Sequence, residues 1–161
     1  MSATEAELGW FAGMLEGEGC ISFFKQARSQ KKGNGSDIIC GLQITNTDIN
    51  LINKLVDILK KSELSWFLRN KKVYSTKHAE CFYIECRQQG MIIKSLELLL
   101  PYMYGNKKSK GQLVLDYLLK RREQSQNSGK FNTRYSKNDF SMIPRDSTLS
   151  SSRGEDIVHT T

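Results

Sequence analysis

Histidine is scarce. His78 and His159 are the only two in 161 residues, and they are too far apart in character to suggest a zinc site or a hydrolase triad. The four cysteines, Cys20, Cys40, Cys81 and Cys86, include no C-x-x-C pair, and three sit within strand-like apolar runs. That usage fits small buried thiols in a reduced compartment better than disulfides or zinc. No apolar run is long enough to span a bilayer, and the longest candidates are interrupted by charge, so no membrane partner is expected. The N-terminal "MSATEAE" lacks the cationic start and apolar core of a secretion signal.

What is present is a length that suits one domain with a real hydrophobic core. It carries 24 Lys and Arg against 17 Asp and Glu, a formal charge of +7. An excess of that sign points to a polyanionic partner, nucleic acid before membrane.

The spacing predicts a short opening helix and then a strand, "CISFFKQA" (Cys20 to Ala27). A charged, Gly-containing loop, "RSQKKGNGS", leads to a second strand, "DIICGLQITN" (Asp37 to Asn46), completing a hairpin with a basic tip. Thr47 and Asp48 are good helix-starting residues, and "INLINKLVDILKK" puts Ile49, Ile52, Leu55, Val56 and Leu59 on one face. A second hairpin follows from "LSWFLRN" and "VYSTKHAECFYIECR". Two more helices are read in "GMIIKSLELLLPYM", ended by Pro101, and in Lys107 to Glu123. The expected architecture is α+β, helices on one face of an antiparallel sheet. The domain is expected over residues 1–124; 125–161, rich in Ser, Asn and Thr, reads as a flexible tail.

The opening helix contains a puzzle. Gly9, Gly13 and Gly17 recur at every fourth residue, and each helical glycine costs about 1 kcal/mol relative to alanine. Such a stripe fits either a helix packed tightly on its own sheet or one that meets another backbone closely. Glu16 and Glu18 then crowd the end where the helix dipole is already negative. Acidic groups suit a phosphate-binding chain when a divalent cation sits between carboxylate and phosphate.

"FAGMLEGEG" (Phe11 to Gly19) resembles the signature of the LAGLIDADG homing endonucleases. The family's αββαββα order, with a saddle-shaped antiparallel sheet, matches the order read above over Glu7 to Glu123, and "GNKKSKGQLVL" resembles its late basic motif. This sequence has Glu where the motif has Asp at both acidic positions, and Phe11 where it has Leu. The resemblance implies that the motif helix packs against its copy across a two-fold axis, through Ala12, Gly13 and Glu16. One motif per chain implies a homodimer and a pseudo-palindromic target. It implies Glu18 as the metal-binding carboxylate, the carbonyl of Gly17 as a further ligand, and Mg²⁺ as the ion, with Mn²⁺ a plausible substitute. Gly17 is also expected to let the chain turn from helix into strand. Asn46 matches the family's water-ordering polar residue, although "TNTD" also reads as a helix cap. Lys107 aligns with the active-site lysine, Lys108 being the alternate.

Alternation along the strands predicts which residues face DNA. With Ile21 and Phe23 inward, Ser22, Phe24, Gln26 and Arg28 face outward; with Cys40, Leu42 and Ile44 inward, Ile39, Gly41 and Gln43 do. In the second hairpin Phe67, Arg69, Cys81 and Tyr83 take that side. Lys31, Lys32, Lys71 and Lys72, at hairpin tips, are either phosphate contacts or ordinary solvated turn lysines. The expected function is site-specific cleavage of double-stranded DNA across the minor groove. Two alternatives share the fold: a maturase binding intron RNA, and a DNA-binding regulator. The family resemblance also implies an intron-encoded, intracellular protein of an organelle (chloroplast or mitochondrion) or a microbial cytoplasm.

Overall fold

The computed structural model describes residues 2–27, 36–71 and 81–128. The first helix, α1 (Glu5–Gly17), starts with a capping box: the Thr4 hydroxyl accepts the N–H of Glu7 at 3.2 Å, and the Glu7 carboxylate accepts the N–H of Thr4 at 2.9 Å. Phe11, Ala12 and Leu15 form its inward stripe, all fully buried. The chain doubles back into β1 (Gly19–Ala27), which pairs antiparallel with β2 (Ser36–Asn46).

Helix α2 (Ile49–Lys61) is capped by Asp48, whose carboxylate accepts the N–H of Asn50 at 2.8 Å, and it buries Ile52, Leu55, Ile58 and Leu59. The Lys61 ammonium at its far end meets the Glu7 carboxylate at 2.5 Å, tying α2 to the start of α1. β3 (Phe67–Lys71) and β4 (Cys81–Cys86) form the second hairpin, followed by α3 (Gln89–Leu99), a short 3₁₀ turn (Leu100–Tyr102) and α4 (Asn106–Ser128).

The sheet order is β1-β2-β4-β3, antiparallel throughout, with the helices packed on one face. This is the expected α+β, αββαββα arrangement. The core joins Ile21 and Phe23 of β1, Leu42 and Ile44 of β2 and Ile84 of β4 to the helices. Phe11 meets Trp66 edge-on at 5.4 Å, and Phe23 meets Tyr117 of α4 at 5.4 Å. The inward parity of β1, β2 and β4 is the one that alternation predicts; in β3 Leu68, expected inward, shares the side of Ile84 but stays 46% exposed at the sheet edge, outside the core. Helix α4 continues to Ser128; most of the segment expected to be a tail lies outside the described residues.

All four cysteines are free thiols. Burial pushes the Cys40 thiol up to about 12 and the Cys86 thiol up to about 11, whereas Cys20 is exposed, contrary to a uniformly buried set. No helix among the described residues is long and apolar enough to cross a membrane.

Candidate nucleic-acid interface and acidic tip

Two features make up the candidate site. The first is the α1–β1 turn. Glu18 caps α1, its N–H donating to the Met14 carbonyl at 2.9 Å. At Gly19 the chain folds so closely over its own helix that a Cβ would lie 2.5 Å from the Leu15 carbonyl oxygen. The turn therefore depends on Gly19. Gly17, expected to serve there, is the last helical residue, and a Cβ on it would meet nothing within 4 Å.

Lys107, in the first turn of α4, closes this turn from below. Its ammonium donates to three carbonyls, those of Leu15 at 3.3 Å, Glu16 at 2.5 Å and Gly19 at 2.7 Å. Three N–H bonds meet three acceptors, and the cation sits where the helix dipole is negative. The Glu16 carboxylate answers in the other direction: its Oε1 accepts the N–H groups of Tyr104 at 2.9 Å and Gly105 at 2.6 Å. So Glu16 and Lys107 stitch the end of α1 to the start of α4 within one chain. Glu18 is left exposed, with no side-chain hydrogen bond or ion pair among the described residues. Lys108 is exposed too, its Nζ 5.8 Å from the Tyr104 ring centre.

Ala12 is corrected by its burial. It is 0% exposed inside its own chain's core and has no surface to offer a second helix. Gly13 differs: it is exposed, and a Cβ on it would meet nothing within 4 Å. Packing among the described residues gives no reason for Gly13 or Gly17. Asn46 lies two residues past Ile44, the β2 partner of Gly19, and so reaches the same end of the sheet as Glu18. Its Oδ1 accepts the N–H of Asp48 at 2.8 Å, a turn leading into α2; the helix cap expected in "TNTD" is Asp48 and not Asn46. Among the described residues no cluster of three or more His, Cys, Asp or Glu side chains is placed to hold an ion.

The second feature is the outward sheet face. Register aligns Cys20, Gln43, Glu85 and Phe67 in one row across all four strands, and Thr45, Tyr83 and Arg69 in the next. Ser22 and Phe24 lie opposite Gly41 and Ile39. A shallow groove of about 260 Å³ brings Ser22, Phe24, Gln26 and Gln43 together with Glu85 and Arg87. The Gln43 amide donates to Thr45 at 3.1 Å. Phe67 is 60% and Phe24 38% exposed, an unusual apolar display for a solvated sheet. Arg28, the side chain of Lys71, and Lys31, Lys32 and Lys72 lie outside the described residues, as do both histidines. Glu85 and Arg87 were not expected here; continuing the outward parity beyond Tyr83 points to both.

The fold is that of the LAGLIDADG homing endonucleases. Among solved structures it is similar to the homing endonuclease I-CvuI in complex with its target, with a TM-score of 0.56 and 22% identity over 71% of this chain and 67% of that one. I-TnaI gives a TM-score of 0.56 and 17% identity, covering 78% of this chain and 77% of that one. The group I intron-encoded I-CeuI, complexed with DNA, gives 0.60 and 14%, covering 79% and 60%. The sequence matches no family model and no curated relative.

Proposed function

We propose that this chain is a metal-dependent, site-specific endonuclease that cuts both strands of double-stranded DNA across the minor groove. The observation that carries the reading is Glu18: an exposed carboxylate, unpaired among the described residues, on a turn held by Lys107, beside a sheet face bearing Gln, Arg and aromatic side chains. An exposed carboxylate at the negative end of a helix dipole is disfavoured there, and a bound cation would relieve that cost.

The residues present fit Mg²⁺ or Mn²⁺. Both take hard oxygen ligands and retain several waters, so Glu18, the Gly17 carbonyl and phosphate oxygens form a sufficient set. When bound, such an ion supplies charge stabilisation at the scissile phosphate and eases deprotonation of the attacking water. Glu18 holds the ion, and Lys107 is a positioning residue that fixes the turn and adds positive charge next to it. Asn46 contributes a polar amide at the same sheet end. Ser22, Phe24, Gln26, Gln43, Arg69 and Tyr83 form the base-reading surface; Gln and Arg pair with adenine and guanine edges, and Phe24 suits a thymine methyl. Arg28 and Lys71 complete that set in the proposal.

A single chain offers one such carboxylate. The open faces of Gly13 and Gly17 support pairing of α1 with a second copy, which would bring two tips together and make the target pseudo-palindromic. Glu16, being engaged within its own chain, supports that interface by shaping the helix end. On the likeness to intron-encoded I-CeuI, we place the protein inside the cell as the product of an intron, in an organelle or a microbe.

The test is selection of bound sites from a random DNA pool, followed by incubation of the selected DNA with Mg²⁺, Mn²⁺, Ca²⁺ or chelator. Breaks in both strands with Mg²⁺, and none with chelator, are expected. Tight binding with Ca²⁺ but no cutting with Mg²⁺ would identify a regulator; no DNA selection, with activity in an intron-splicing assay, would identify an RNA-binding maturase.

A further inference from the structure

The outward sheet face carries a carboxylate that the proposed nuclease does not use. Glu85 of β4 is 4% exposed and stands between two arginines. Arg69 Nε lies 3.1 Å from its Oε1, and Arg87 Nε donates to its Oε2 at 3.0 Å. The arginine side chains are nevertheless 58% and 74% exposed. The carboxylate is thus sunk in the surface while both guanidinium groups stand above it.

A buried anion on a face that meets DNA is doubly unfavourable: it loses hydration, and it repels phosphate. Its compensation is geometric. A guanidinium has five N–H donors in one plane, and Glu85 engages each at Nε. The terminal nitrogens have no partner among the described residues, and they form the edge that bonds O6 and N7 of guanine in the major groove. A free arginine must lose considerable rotamer freedom to present that edge, whereas a held one has already lost much of it. The charge balance argues the same way. Two cations sharing one anion attract phosphate less than two free arginines do, yet keep their directional donors.

We propose, building on the DNA-cleavage reading above, that Glu85 is a positioning residue that holds Arg69 and Arg87 as a pair of guanine readers, so that each half-site carries two G·C pairs beneath them. The two arginines approach Glu85 from different strands, Arg69 from β3 and Arg87 from just beyond β4, so they address different base pairs. Gln43 and Phe67, the cross-strand neighbours, flank Glu85.

The experiment compares sites selected from a random duplex pool by the wild-type protein and by Glu85→Gln, Arg69→Ala and Arg87→Lys, alongside thermal unfolding and binding to a non-specific duplex. The wild type is expected to select two guanines per half-site. Arg69→Ala should lose one of them and Arg87→Lys the other. Glu85→Gln should relax both by about tenfold or more, while preferences elsewhere and non-specific binding persist. Arg87→Lys, at an exposed position, keeps the test decisive should Glu85→Gln unfold. A wild type that selects sites, with Arg87→Lys and every folded Glu85→Gln sample keeping its guanine preferences or weakening uniformly on all sequences, overturns this inference alone. A wild type that selects no duplex overturns the DNA reading and the inference with it.

Discussion

The ammonium of Lys107 caps the last turn of α1, 2.5 Å from the carbonyl oxygen of Glu16. It also reaches Leu15 and Gly19, so one side chain from α4 satisfies carbonyls that a helix end ordinarily leaves open. Lys107→Met should therefore lower stability by about 1–3 kcal/mol and loosen the acidic tip. Thermal unfolding measures the first effect. Lys108→Met, at an exposed site, should stay within about 0.5 kcal/mol of wild type. Equal stabilities for the two variants would remove Lys107 from its capping role.

Glu16 and Glu18 should separate cleanly. Glu18→Gln is expected to leave the melting temperature and DNA binding unchanged while reducing cleavage at least about 100-fold, because only the charge available to a cation is lost. Glu16→Gln weakens two bonds to backbone N–H groups and should cost about 1–3 kcal/mol of stability. Cleavage by Glu18→Gln near the wild-type rate would refute the metal role.

The glycines divide in the same way. Gly13→Ala should raise the protomer's stability by about 1 kcal/mol, since the added methyl meets nothing and helix propensity improves. Gly13→Leu should give folded monomers in sedimentation experiments. Gly19→Ala should be destabilising by about 1–3 kcal/mol, because its methyl would press on the Leu15 backbone. An intact Gly13→Leu dimer would count against pairing through α1.

Acid should loosen the α1–α2 contact. The Lys61 ammonium, with the Thr4 N–H, holds the Glu7 carboxyl down from an ordinary 4.5 to about 2. A lowered folded-state value means that the contribution is complete above about pH 4.5 and is lost as pH falls toward 2. The melting temperature of wild type should thus fall more steeply over that window than that of Glu7→Gln. Parallel curves would show that the pair is solvated away.

Much of the fold could be read directly. Period-two alternation placed Ile21, Phe23, Leu42, Ile44 and Ile84 inward correctly, because a strand residue can face only one of two sides. The α1 stripe was harder to divide. Ala12 and Gly13 are both small, so size alone could not separate the core side from the open side. Adjacent residues on a helix point about 100° apart, and burial of Ala12 beside Phe11 decides between them. Glu85 and Arg87 were within reach of the same alternation that found Tyr83.

The residues alone determined the order of elements, the cap at Asp48, the inward faces of β1, β2 and β4 and the nonapeptide that ends in an acidic turn. These depend on neighbours a few positions away, where spacing carries the information. Only the tertiary structure decided what Glu16, Lys107 and Glu85 touch. Lys107 meets Glu16 across 91 positions of chain, and Arg69 meets Glu85 across a strand pair, contacts that no local pattern encodes because chain folding alone brings such partners within hydrogen-bonding distance.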